Sequence, residues 1–170
     1  MRRGNDRGVC EAPRFATMRS TRLTILESQV KKVFATPQDA ETAFYEALER
    51  ADLDAMMEVW SMDEEIMCVH PGGPRLHGYD QVRASWAGMF KSGQALRVRI
   101  LQPVTTQSGM VSIHNIYELI AVGNEPRARQ PVIATNVYMR TSDGWRMIVH
   151  HASPAPPLPE RPVDAPKIFH

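Results

Sequence analysis

The feature that most constrains the fold is a change of hydrophobic period at Gly93. Between residues 37 and 91, apolar side chains recur every three or four positions, which is the period of helices that bury one face. After Gly93, apolar and polar residues alternate in four runs, which is the period of strands with one buried face. Helices that precede a run of strands, rather than alternating with them, favour an α+β fold over a parallel α/β sheet.

Three helices and one short strand are predicted before the change of period. Thr36 followed by Pro37 is typical of a helix start, because threonine caps the first turn and proline is tolerated at its first position. Asp52 can cap a second helix, and a third follows Gly78. The apolar run Ile66–His70 predicts a strand between the second and third helices.

The four later strands are predicted at 96–100, 110–121, 132–139 and 145–151. The turn signal Ser142-Asp143-Gly144 makes the last two strands hairpin neighbours. Faces must match across a hairpin, so Asn136, Tyr138 and His150 are predicted to share one surface. The same alternation places three residues of the last strand on the opposite face: Trp145, Met147 and Val149.

Length and charge predict one domain with flanking segments. The chain has 170 residues, 43% of them hydrophobic, which suffices for a buried core. We expect a basic, flexible head over 1–35, an α+β domain over 36–155 and a proline-rich extended tail over 156–170, with either Met1 or Met18 as the start. The net charge of +1 gives no reason to expect nucleic acid or a membrane as a partner.

The cysteines and apolar stretches predict a cytoplasmic location. Cys10 and Cys68 show no disulfide or metal spacing, and Cys68 lies in an apolar run typical of a buried thiol. No apolar stretch approaches the ~20 residues needed to span a bilayer. No H-x-x-x-H or C-x-x-C spacing is present, so neither a metal nor a cofactor is predicted.

Several short motifs resemble the SnoaL-like branch of the nuclear transport factor 2-like superfamily. In chain order they are Trp60, Val69-His70-Pro71-Gly72, Leu76-His77-Gly78, Trp86, Asp143-Gly144-Trp145-Arg146-Met147 and His150-His151-Ala152-Ser153. The resemblance covers roughly residues 36–155. It implies a cone-shaped barrel in which three N-terminal helices pack on a strongly bent, mainly antiparallel sheet, and a homodimer that packs through that sheet.

This resemblance does not select a function. Members of the superfamily include isomerases, polyketide cyclases, dehydratases, epoxide hydrolases and structural association domains, so fold alone cannot choose among them. Enzymes of this fold often use a pocket carboxylate as general base. Between Met110 and Met139, Glu118 is the one acid within the predicted strands, and its surroundings predict a solvent-facing position. The chain therefore departs from the cyclase and isomerase pattern.

Histidine is the other candidate base, because its ordinary pKa suits neutral pH. His70 and His77 flank a loop rich in proline and glycine, and both are expected at the mouth of the cone. His150 and His151 are adjacent on one strand and therefore point to opposite faces.

The candidate ligand-binding residues are the aromatic, imidazole and amide side chains expected around the cone: Trp60, His70, His77, Trp86, Asn136, Tyr138 and His150. Plainer interpretations remain open. The tryptophans can be ordinary core, the histidines can satisfy local hydrogen bonds, and the surface that carries Asn136 can be the dimer interface. No catalytic residue is assigned.

Two functions remain open from the sequence. The first is a small-molecule binding domain whose pocket takes a small, partly hydrophobic or aromatic ligand. The alternative is a His-assisted isomerase, cyclase or dehydratase-type enzyme that acts on a small organic substrate. The absence of an evident pocket carboxylate favours the first.

Overall fold

The computed structural model describes residues 32–123 and 130–157. The predicted head as far as residue 31 and the predicted tail from residue 158 lie outside the described residues. The helices are α1 (Pro37–Arg50), α2 (Leu53–Val59) and α3 (Tyr79–Lys91). The strands are β1 (Met67–Val69), β2 (Arg75–His77), β3 (Leu96–Gln107), β4 (Val111–Val122), β5 (Val132–Thr141) and β6 (Gly144–Pro154). The predicted α+β class is confirmed. The sequence prediction missed β2, whose three residues are too few to show alternation.

The first two helices begin at the residues that the sequence marks as caps. Thr36 and Asp39 form a reciprocal capping box, with distances of 2.9 and 3.1 Å between backbone nitrogens and side-chain oxygens. Asp52 accepts a hydrogen bond of 3.0 Å from the Ala55 backbone nitrogen at the start of α2. Of the helices in the described ranges, none combines the length and the apolar content needed to cross a membrane.

The six strands form one open sheet in the order β2-β1-β6-β5-β4-β3. Every neighbouring pair is antiparallel except β1 and β6. Since β2 and β3 lie at the two edges and do not pair with each other, the sheet curls into a cone without closing into a barrel. The helices pack on its inner face, and the hydrophobic core lies between the two layers.

A β-bulge in β6 changes which residues face the core. Val137 pairs with Val149, but Tyr138 pairs with Met147, so Ile148 is an extra residue on its strand. The extra residue reverses the alternation and brings Met147 to the same inner face as His150. The prediction that Trp145, Met147 and Val149 form one face opposite His150 is therefore wrong, since only Val149 lies opposite.

The packed structure includes residues upstream of Thr36. Phe34 is only 2% exposed and forms a parallel bridge with Gly144. The Trp145 backbone nitrogen donates to the Phe34 carbonyl oxygen at 2.9 Å. A Cβ atom at residue 144 would lie 2.5 Å from that oxygen, and the φ of +92° also favours glycine. Gly144 therefore ends the hairpin turn, and its lack of a side chain leaves room for the backbone of Phe34.

Candidate functional site

A mostly apolar cavity of about 380 Å³ opens between the end of α3 and the long strands. Its walls include Leu48 of α1, Pro71 after β1, Met89 and Phe90 of α3, Ile120 of β4 and Val132 of β5. A concave apolar site of this size is typical of a pocket for a small organic molecule.

Inward-facing residues continue from this cavity in three rows across the sheet. The mouth row contains Ile100, Glu118, Val132 and Pro154. The alanine row contains Ile116, Ala134 and Ala152. The polar row contains His114, Asn136 and His150, with Cys68 beside His150. Two members of the mouth row line the cavity, so the polar row lies two rows deeper.

One face of α1 covers these rows. Glu41, Tyr45 and Leu48 follow helical spacing, so their side chains project from the same side of α1. Leu48 reaches the cavity wall, whereas Tyr45 reaches the sheet and donates a hydrogen bond of 2.6 Å to Glu118 Oε1. The helix thus carries its apolar contact at the cavity and its polar contacts further inside.

A continuous hydrogen-bond network connects Glu118 to the polar row. The Asn136 side-chain nitrogen donates to the Tyr45 hydroxyl oxygen at 3.1 Å and to Glu41 Oε1 at 3.4 Å. The Asn136 side-chain oxygen lies 2.7 Å from His150 Nδ1. The structure therefore joins two of the predicted site residues, Asn136 and His150, by a direct contact.

Tyr138 lies on the same buried face, as the hairpin alignment predicts. The phenol ring stacks at a tilt against His114, with 5.0 Å between ring centroids. Burial is the main cause that raises the pKa of Tyr138 well above its ordinary value, so the phenol stays neutral. Because this face lies under α1, the interpretation that Asn136, Tyr138 and His150 form a dimer interface is wrong.

Glu118 is buried, and the prediction that it faces solvent is wrong. It is 3% exposed and lies beneath Tyr45. Burial raises the pKa of Glu118 to about 7, the hydrogen bond from Tyr45 opposes that rise, and the nearby Glu41 charge adds to it. The site thus holds the carboxylate that the sequence interpretation considered missing, and it can both accept and release a proton near neutral pH.

His114 extends the network toward the narrow end of the cone. Its Nδ1 lies 3.0 Å from Glu41 Oε2, and its Nε2 lies 3.0 Å from the Ser112 hydroxyl. Ser112 and His114 are both fully buried, away from the residues that line the cavity. The Ser112 hydroxyl thus satisfies Nε2, whereas Nδ1 lies close to the Glu41 carboxyl without a hydrogen bond among the described residues.

His70 lies on the other side of the polar row, at the end of β1. Its Nε2 lies 3.0 Å from the Ser85 hydroxyl, and its ring meets Trp86 edge-on at 4.6 Å between centroids. Burial lowers the pKa of His70 and favours the neutral ring. The following residue, Pro71, lines the cavity, whereas His70 itself is not among the lining residues.

Of the remaining predicted site residues, the two tryptophans are buried and His77 is exposed. Trp86 is buried among Phe44, Phe90 and His150, whereas Trp60 is a core residue bridged to Met147. His77 is exposed on β2 and faces a different surface depression, so it does not join the others. In the described ranges, no three His, Cys, Asp or Glu side chains are placed to hold a metal ion.

Sequence reasoning missed Glu41, Tyr45, His114 and Glu118. One signal for the helix pair was available, since Glu41 and Tyr45 share the spacing of the buried face of α1. For the strand pair, His114 and Glu118 alternate in phase with Ile116 and Ile120. That phase places them on the core face, where a polar residue must find a buried partner.

Comparisons with known proteins agree with this geometry. The family model for the SnoaL-like domain matches residues 38–157. A solved structure from Thiobacillus denitrificans, provisionally described as a calcium/calmodulin-dependent protein kinase type II association domain, is 40% identical with a TM-score of 0.67. It covers 74% of this chain and 99% of its own. Another from Streptomyces avermitilis, provisionally described as a dehydratase of the NTF2-like family, is 34% identical with a TM-score of 0.63. It covers 68% of this chain and 91% of its own.

A curated relative shares the domain within a longer protein. The F-box protein SKIP8 of Arabidopsis thaliana is 27% identical over 133 residues, which cover 72% of this chain and 52% of that protein. The chain therefore spans about half the length of this relative.

Proposed function

This chain belongs to the SnoaL-like domain family, and on that premise we propose that it binds a small, partly hydrophobic molecule in the cavity between α3 and the sheet. The observation that carries the proposal is the junction of an apolar cavity with a buried polar network at Glu118. Apolar walls favour the transfer of a hydrophobic body out of water, and a few fixed polar groups orient it.

The junction is formed by neighbouring residues of the mouth row. Val132 lines the cavity, and its cross-strand neighbour Glu118 begins the network. The next row contains Ala134 and Ala152, whose short side chains stand between the mouth row and the polar row of Asn136 and His150. A ligand with an apolar body and one polar end therefore matches the order of these rows.

A binding experiment tests this proposal. We expect 2-methylnaphthalene and 2-naphthol to bind the purified chain. Ligand-observed NMR measures this binding. Ile120→Trp should fill the cavity and weaken both by at least tenfold. Met62→Trp is the matched control, because Met62 is 71% exposed and lies outside the cavity. Failure of both probes to bind, or equal binding by the two variants, would contradict the proposal.

A second candidate function is proton transfer on the bound molecule, as in an isomerase, cyclase or dehydratase-type enzyme. The specific observation is the buried Glu118 with its pKa near 7. It replaces histidine as the candidate base, because burial lowers the pKa of His150 to about 3 and makes it a weak base. Glu118 would take a proton from a carbon beside a carbonyl and return it to the same or another carbon, so no other reactant is needed.

Hydrogen–deuterium exchange tests this second candidate. 2-Tetralone has the size of the naphthalene probes and acidic C–H bonds beside its carbonyl. In D2O, wild-type protein should accelerate exchange at those carbons, and Glu118→Gln should lose the acceleration while still binding 2-methylnaphthalene. Equal exchange rates for both proteins would leave the chain as a binding domain.

A further inference from the structure

The hydrogen-bond network determines which nitrogen of His150 carries the proton. The Asn136 amide nitrogen faces two oxygen atoms, of Tyr45 and Glu41, so the amide oxygen must face His150 Nδ1. An amide oxygen only accepts hydrogen bonds, and the distance is 2.7 Å. His150 Nδ1 is therefore the donor and carries a hydrogen.

His150 Nε2 is consequently an unprotonated acceptor. Burial, with smaller effects from His70 and His151, lowers the pKa of His150 to about 3, so the ring is neutral and has only one N–H. Among the described residues, no hydrogen bond reaches Nε2. This nitrogen lies on the side of the ring away from Asn136, and the neighbouring rings are Phe44 and Trp86, at 5.1 and 6.2 Å between centroids.

Trp86 contributes a donor beside this acceptor. Its Nε1 is buried and has no hydrogen-bond partner in the part of the chain that the structure describes. Its ring packs against Phe90 at 5.8 Å between centroids, and Phe90 lines the cavity. An acceptor on His150 and a buried donor on Trp86 thus lie on adjacent rings, and the buried donor costs free energy while it lacks a partner.

The charges of the surrounding residues restrict which ligand group could bind both His150 Nε2 and Trp86 Nε1. Glu41 and Glu118 are carboxyl groups of the same network. In the described ranges, no hydrogen bond or ion pair joins a lysine or arginine to it. A carboxylate ligand would enter this surrounding without a cation to pair with, which is costly in a buried site.

We propose that the ligand is a neutral molecule with an aromatic or aliphatic body and a hydroxyl group, which donates to His150 Nε2 and accepts from Trp86 Nε1. A hydroxyl group satisfies both residues because it is a donor and an acceptor at one oxygen. The apolar body extends along Ala134 and Ala152 toward the cavity. This inference rests on the proposed binding function and adds the chemical class of the ligand.

Three probes of similar size separate this inference from the binding function itself. 2-Naphthol offers a hydroxyl, 2-methylnaphthalene replaces it with a methyl group, and 2-naphthoate carries a negative charge. We expect 2-naphthol to bind at least tenfold more tightly than 2-methylnaphthalene, and 2-naphthoate to bind most weakly. Equal binding of the first two, as when a retained water already satisfies both groups, or tightest binding of 2-naphthoate, overturns the inference but not the pocket. If none binds, both proposals fail.

A variant assigns the effect to the indole donor. Trp86→Phe keeps an aromatic ring but removes the N–H, so the preference for 2-naphthol over 2-methylnaphthalene should fall by about fivefold or more. Trp145→Phe is the matched control, since Trp145 is a buried indole at the other end of β6. An unchanged preference in Trp86→Phe overturns the role of Trp86.

Imidazole nitrogen chemical shifts test the tautomer without a variant. The native chain should show a protonated Nδ1 and an unprotonated Nε2 for His150, and 2-naphthol should shift the Nε2 signal more than 2-methylnaphthalene does. A protonated Nε2 in the free protein overturns the inference.

Discussion

The Tyr45 hydroxyl donates a hydrogen bond of 2.6 Å to the Glu118 carboxylate and thereby joins α1 to β4 across 73 residues of chain. The same hydroxyl accepts from Asn136, so Tyr45 stands between the amide and the carboxyl. This arrangement makes Glu118 part of the buried interior and gives it a measurable effect on stability as the pH changes.

Glu118→Gln should make the protein more stable than wild type above pH 7 and similar to it near pH 4.5. The pKa of Glu118 is raised from 4.5 to about 7, so the folded chain binds this proton more tightly than the unfolded chain. The carboxyl therefore costs stability progressively as the pH rises through that interval, by about 3 kcal/mol in total. Urea denaturation of both proteins at several pH values measures the difference.

Comparison at each pH separates this effect from that of His150, whose pKa is lowered to about 3. Because His150 is buried and neutral, the unfolding free energy of the protein decreases as the pH falls from about 6.5, and it does so equally in wild type and Glu118→Gln. A stability difference between wild type and Glu118→Gln that stays constant from pH 4.5 to 8 would show that Glu118 is not buried in solution.

Deletion of residues 1–22 should leave the melting temperature unchanged, because that segment lacks periodic apolar residues. Deletion of residues 1–35 should lower it, because it also removes the buried Phe34 and its bridge to Gly144. Thermal unfolding of the two deletions beside the full chain measures both effects. A drop of several degrees in the shorter deletion would show that the head packs on the domain.

Trp145→Ala should lose about 3–5 kcal/mol of unfolding free energy, the usual cost of truncating a buried aromatic side chain. Trp145 is 4% exposed and lies on the inner face with Met147. Met62→Ala is the control, since Met62 is largely exposed and should change stability little. Equal denaturation midpoints for the two variants would contradict the core position of Trp145.

The outer face of the sheet should mediate a homodimer. The helices cover the inner face, while Ile113, 40% exposed, lies beside its half-buried cross-strand neighbour Val137 on the outer face. An apolar sheet face of this kind favours a partner surface. Sedimentation at micromolar concentration should give a dimer, and the double variant Ile113→Lys/Val137→Lys should give a monomer. A wild-type monomer, or a dimer that Met62→Lys disrupts equally, would contradict the assignment.

Local signals in the sequence determined most of the secondary structure. Thr36 and Asp52 mark helix starts because a capping side chain bonds to backbone only three residues away. The hairpin of β5 and β6 follows from a short turn, so the shared face of Asn136 and His150 was predictable. These features depend on neighbours in the chain and need no knowledge of the remaining fold.

The tertiary structure alone decided how buried the polar residues are. The alternation in β4 places Glu118 on the same face as Ile116 and Ile120, but not whether a helix covers that position. Burial, and with it the raised pKa, arises because α1 brings Tyr45 over the sheet. The bulge at Ile148 is likewise set by pairing with β5, since a strand pattern read alone has no partner against which an extra residue can be counted.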